Sequence, residues 1–128
     1  MKMILYHNKN CSKSRECLSI LSKEKVNFKV RDYMKENLTL NEIKHLIENL
    51  KSDLNEVIRD KKLFNTADVI SKVELSNHLY ECPKNMQRPI FFNGKNYFIC
   101  RPPELVKKLL WISLSKKKVV EGVGFEPT

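Results

Sequence analysis

The order of elements along the chain predicts an α/β domain with a mixed four-stranded sheet, built as β-α-β, a helical insert, then β-β-α. Three observations carry this expectation. A strand, a helix and a second strand fit within the first 33 residues; the middle of the chain shows helical periodicity; and an Asn-Gly pair divides two aromatic-rich runs further on. The 128 residues, 41% of them hydrophobic, suffice for one compact domain with its own core and exclude a disordered tail protein.

Lys2 to Tyr6 reads as the first strand. The helix after it gathers Cys17, Leu18, Leu21 and Ile20 toward one face. Phe28 to Tyr33 alternates apolar and polar residues as a half-buried strand does, and a right-handed crossover sets it parallel to the first. Thr39-Leu40-Asn41-Glu42 fits a capping box, and Ile43, Leu46, Ile47 and Leu50 recur at helical spacing behind it. Ser52 is a candidate cap for a short helix carrying Leu54, Val57 and Ile58, and Glu74 to Tyr80 reads as a third helix of the insert. Pro89 to Phe92 and Tyr97 to Cys100 should pair as an antiparallel hairpin across Asn93-Gly94-Lys95-Asn96. Pro102-Pro103-Glu104 then opens a last helix with Leu105, Val106, Leu109, Leu110 and Ile112 on its buried side. The domain is expected over 1–115 with its insert at about 36–84, leaving 116–128 as a tail. Gly-Phe-Glu-Pro in that tail resembles the translated T-arm of a tRNA gene, so either read-through or a flexible C-terminus accounts for it.

Composition narrows the function. The net charge is +9, but lysine recurs in nearly every segment instead of forming one face with interleaved aromatics, which argues against a nucleic-acid groove. The longest apolar run, Leu109 to Leu114, is far short of the roughly 20 residues of a membrane span, and no signal-peptide stretch opens the chain. A cytoplasmic location is expected. There the four cysteines stay reduced, and their spacing does not fit a zinc site, so no metal is expected. His45 and His78 lie on expected helices without a partner at metal spacing.

The chemistry centres on Cys11. It falls between the first strand and the first helix, where unpaired backbone N–H groups and the helix dipole stabilise a thiolate. Ser12 or Ser14 can cap that helix or donate to the sulfur, and His7 and Arg15 add polar or cationic groups nearby. Cys17 and Cys100 read as small core residues, and nothing in the sequence positions Cys82 as a resolving thiol. Only five basic residues are Arg, namely Arg15, Arg31, Arg59, Arg88 and Arg101; in a lysine-rich chain that count fits either a need for the planar fork that grips oxyanions or ordinary composition bias with scattered Arg. Arg88-Pro89 opens the third strand and is a candidate cis peptide.

Four segments, Tyr6-His7-Asn8-Lys9-Asn10-Cys11-Ser12-Lys13-Ser14-Arg15, Val57-Ile58-Arg59, Gln87-Arg88-Pro89-Ile90 and Ile99 to Val106, together resemble the glutaredoxin-linked ArsC type of arsenate reductase. The resemblance runs from about residue 2 to 115 and implies a thioredoxin-like fold with Cys11 as nucleophile, helped by His7, Ser14 and Arg15. It implies that Arg59, Arg88 and Arg101 grip the oxyanion and that Pro89 is the cis-proline beside the thiol. Arsenate or a similar oxyanion would be the substrate and glutathione the co-substrate, with glutaredoxin as protein partner, no bound cofactor, and a monomeric enzyme without nucleic-acid or membrane partners. Two departures stand out: Lys9 replaces the family's proline, and Lys61 to Ser71 lacks the pattern that often follows the first of those arginines. The same superfamily holds glutathione-linked reductases of other substrates and Spx-type regulators that bind RNA polymerase. The Spx type generally carries a second cysteine where this chain has Ser14.

Overall fold

The computed structural model describes residues 2–64 and 71–112. The tail at 116–128 and most of the segment from Lys61 to Ser71 lie outside the described residues. Strand β1 (Ile4–His7) leads into α1 (Ser12–Lys23) and β2 (Lys29–Asp32). The insert follows as α2 (Leu40–Glu48), a 3-10 turn at Leu54–Val57, α3 (Lys72–Glu81) and a second 3-10 turn at Pro83–Asn85. Strands β3 (Ile90–Phe92) and β4 (Tyr97–Ile99) close the sheet, and residues 105–112 form the described part of α4.

The sheet order is β2-β1-β3-β4. Parallel pairing joins β1 to β2, with Leu5 opposite Val30, and antiparallel pairing joins β1 to β3 and β3 to β4, with Leu5 opposite Phe91 and Phe91 opposite Phe98. This is the mixed sheet that the order of elements implied and the thioredoxin-like arrangement that the resemblance implied. Alternation along β1 and β3 sends neighbouring residues to opposite faces. Leu5 and Phe91 join Cys17 and Leu21 of α1, Cys100, and Val106 and Leu110 of α4 in one core. Tyr6 and Ile90 join Ile43, Leu46 and Ile47 of α2 with Leu75 and Leu79 of α3 in the other.

The capping box at α2 is present: Thr39 Oγ1 accepts the Glu42 N–H at 3.1 Å, and a Glu42 carboxylate oxygen accepts the Thr39 N–H at 2.8 Å. Gly94 takes the turn of the β3–β4 hairpin at φ 103°, a conformation glycine adopts without steric cost. Several local expectations need correction. β1 ends at His7, not Tyr6, because pairing with β2 continues through His7 opposite Asp32. Ser52 does not cap the short helix: that segment is a 3-10 turn with Asp53 at its N-cap position and no side-chain cap bond. β2 is not half-buried by alternation, since it is an edge strand, and Val30 remains 46% exposed. Arg31 is tied rather than free, donating to the Glu36 carbonyl at 2.9 Å and pairing with the Glu36 and Glu42 carboxylates. No helix among the described residues is long and apolar enough to cross a membrane.

Candidate active site

Strand β1 delivers the chain to the N-terminus of α1, and the four residues between them fold on themselves. The Cys11 N–H donates to Asn8 O at 3.0 Å, and the Asn10 N–H donates to Asn8 Oδ1 at 3.0 Å. Asn8 in turn donates its N–H to Ser14 Oγ at 3.0 Å, while Ser14 Oγ lies 2.7 Å from His7 Nδ1. Arg15 closes the loop from outside by donating to Lys9 O at 2.8 Å. His7, Asn8 and Ser14 are all buried, so this polar set sits inside the protein with its partners supplied.

Cys11 occupies the N-cap position of α1 itself, which corrects the expectation that Ser12 or Ser14 caps the helix. No acidic residue lies in the first turn, so nothing opposes an anion there. Burial alone would push the Cys11 thiol up, but the backbone N–H groups of Ser14 and Lys13 and the guanidinium groups of Arg88 and Arg101 outweigh it, and the thiol lies below its ordinary value. His7 contributes no cation. Its burial pushes the imidazole down from its usual value, and neutral His7 serves as partner to the Ser14 hydroxyl. Arg15 is likewise spent on the loop carbonyl. The Ser14 hydroxyl, committed to His7 and Asn8, holds the loop and leaves the sulfur to main-chain N–H groups and the two guanidinium groups.

The Arg88–Pro89 peptide is cis, and so is Arg101–Pro102. Arg101 Nη1 lies 4.0 Å from Cys11 Sγ and donates to Arg88 O at 2.9 Å. Arg88 Nη1 donates to Lys84 O at 2.7 Å and Met86 O at 3.3 Å, while its Nε is buried with no hydrogen-bond partner among the described residues. Arg59 shares a cavity with Arg101. The two line a cavity of about 440 Å³ together with Lys51, Lys61 and an apolar wall of Ile58, Phe98, Leu105 and Leu109. Thus Arg88 and Arg101 bear on the thiol directly, and Arg101 links the thiol to the cavity where Arg59 waits.

Tyr33 was not singled out from the sequence. It follows β2, is 1% exposed, and donates from its hydroxyl to Met86 O at 3.5 Å. Burial pushes its pKa up to about 12, while Arg88 lowers it and Cys11 raises it, so a neutral phenol lies close to both. The available signal was its place at the C-terminal end of a parallel strand, where α/β sheets collect functional side chains. The other cysteines stand apart: Cys17 and Cys100 are fully buried, and contact with Cys17 together with burial pushes the Cys100 thiol up. Cys82 is the C-cap residue of α3. His45 Nδ1 lies 2.8 Å from the Tyr97 hydroxyl. Among the described residues no three His, Cys, Asp or Glu side chains are grouped to hold a metal ion.

The family model described as "ArsC family" matches residues 6–109. The chain belongs to the ArsC family. The arsenate reductase of Haemophilus influenzae is 32% identical over 116 residues, covering 86% of this chain and all of the relative. The YfgD protein of Escherichia coli is 33% identical over 112 residues, covering 83% of this chain and 94% of its own. Among solved structures, the arsenate reductase from Vibrio cholerae superposes with a TM-score of 0.73 at 32% identity, over 84% of this chain and 97% of that one. These ArsC homologues support a thiol-dependent reductase.

Proposed function

We propose that the protein reduces arsenate to arsenite, with Cys11 as the nucleophile and Arg59, Arg88 and Arg101 as the oxyanion grip. The observation that carries this reading is the placement of a lowered-pKa thiol at a helix N-terminus with Arg101 4.0 Å from the sulfur. The thiolate attacks arsenic, an S–As bond forms, and an arsenate oxygen departs with protons as water. Guanidinium groups neutralise the bound oxyanion and the charge that develops on its oxygens. Glutathione then takes up the arseno-thiol; two thiols give up two electrons to become a disulfide as As(V) becomes As(III), and glutaredoxin reduces that disulfide. The buried Arg88 Nε, without a partner among the described residues, is a donor that such an anion would satisfy.

A second reading, a glutathione-dependent reductase of another substrate, draws support from the cavity. Its volume of about 440 Å³ is far more than a tetrahedral oxyanion fills, and Lys51 and Lys61 extend its cationic lining beyond the arginines. A steady-state assay with arsenate, glutathione and glutaredoxin separates the two. Arsenite formation that requires Cys11 supports the first. Turnover of a glutathione mixed disulfide without arsenite formation supports the second.

A further inference from the structure

Arg59 reaches the cavity without any side-chain anchor: its guanidinium makes no hydrogen bond or ion pair with the described residues. Among the described residues, what sets its aim is the main chain beneath it. That main chain runs antiparallel to the segment before Arg88, through an isolated bridge of Ile58 to Met86. Two bonds define the bridge, from the Gln87 N–H to Val57 O at 2.7 Å and from the Arg59 N–H to Asn85 O at 2.8 Å. Beyond Arg59 the main-chain ladder stops, and a side chain takes over. Asn85 Oδ1 accepts the Asp60 N–H at 2.7 Å, and Asn85 Nδ2 donates to Asp60 O at 3.2 Å. The carboxamide imitates a peptide group and pairs with both polar atoms of the residue that follows Arg59.

The clamp is itself held. The Asp60 N–H needs an oxygen, which fixes the amide orientation and turns Nδ2 toward His78 Nε2 at 2.7 Å. The imidazole therefore accepts and is unprotonated, consistent with burial pushing its pKa down. Phe64 stacks on that ring at 4.7 Å. Asn85 is 2% exposed, so its amide has no water to fall back on if a partner is lost.

We propose that Asn85 is a positioning residue of the oxyanion site, holding the main chain at Arg59 and Asp60 so that the Arg59 guanidinium faces Arg101 across the cavity. This rests on the assignment of Arg59 to the oxyanion grip. Sulfate serves as probe, because its charge is constant from pH 5 to 8, and its affinity is measured by calorimetry on the full chain. Asn85→Ala should weaken sulfate binding by about tenfold, the order seen for residues that act through one another. The rate and pH profile of Cys11 alkylation by iodoacetamide in the absence of sulfate should stay as in the parent. In an Arg59→Ala background, Asn85→Ala should have little further effect on sulfate. An equal loss with and without Arg59 would overturn the proposal and leave Asn85 a general structural residue. Unchanged affinity in folded Asn85→Ala would overturn it as well, while a loss in Arg59→Ala would keep the oxyanion reading intact. Conversely, unchanged affinity in Arg59→Ala removes Arg59 from the site and overturns both. Should Asn85→Ala fail to fold, Asn85→Asp carries the same test. It keeps the acceptor for the Asp60 N–H and loses the donors, and an intermediate loss that vanishes without Arg59 is expected.

Discussion

The loop that carries the thiol and the ladder that carries Arg59 solve the same problem in opposite ways. Around Cys11 the bonds that shape the loop come from within ten residues: His7 to Ser14, Asn8 to Ser14, Cys11 to Asn8, and Arg15 to Lys9; only the sulfur reaches a distant group, Arg101. The main chain at Arg59 and Arg88 is instead tied to distant segments, from Asn85 to Arg59 and Asp60, from Gln87 to Val57, and from Arg101 to the Arg88 carbonyl. A local loop keeps its shape as long as α1 and β1 stand. The oxyanion side needs the whole insert in place, so damage to the insert should reach substrate binding before it reaches the thiol.

Substitutions can break that contrast, and the largest effect belongs to the thiol. Cys11→Ser should abolish arsenite formation in the coupled assay while the unfolding midpoint barely moves; residual turnover above background would mean that another group is the nucleophile. Next come the arginines. Replacing Arg59, Arg88 or Arg101 by Lys keeps charge but loses the fork, and each should lower kcat/KM for arsenate by roughly one to two decades, the worth of a charge-assisted hydrogen bond. Arg101→Lys should also raise the Cys11 pKa, since Arg101 is among the groups that lower it; Arg59→Lys should not. Equal thiol shifts in both variants would erase the distinction drawn between the two sides.

Smaller effects test the loop itself. Ser14→Ala leaves the buried Asn8 N–H and His7 without a partner and should cost about 1–3 kcal/mol in urea unfolding, with the arsenate KM nearly unchanged. Stability should also fall at mildly acid pH. His7 and His78 both have lowered pKa values, so the unfolded chain binds protons that the folded chain refuses; stability rises with pH through the window below about 6.5 and levels off above it. His7→Asn should flatten part of that slope. Arg31→Lys closes the series: with its links to Glu36 and Glu42 it should lower stability slightly and leave kcat/KM alone.

The same contrast explains what the sequence made legible. The order of elements, the Thr39 capping box and the Asn93-Gly94 turn are written in short windows, as is the position of Cys11 ahead of α1. The role of the three arginines is legible only through a resemblance, because nothing local to Arg59 states that it shares a cavity with Arg101. His7 looked like a cation for the thiol and is instead a neutral partner of Ser14, since burial cannot be read from a strand end. Tyr33 and Asn85 were missed for a related reason. Each acts through partners more than 20 residues away, Met86 for one and Asp60 for the other.

The two rims of the sheet have a bearing on how copies of the chain behave toward one another. An unpaired strand rim is a template for further strands, and crowding or partial unfolding exploits it. Here β2 runs Lys-Val-Arg-Asp, with charge at three of its four positions. At the other rim, the segment after α2 lies along β4, where Tyr97 N–H donates to Asn49 O at 3.0 Å and Lys51 N–H donates to Tyr97 O at 2.9 Å. One rim is guarded by electrostatic repulsion and the other by a stretch of the chain's own backbone, so fibrillar stacking meets an obstacle at each side.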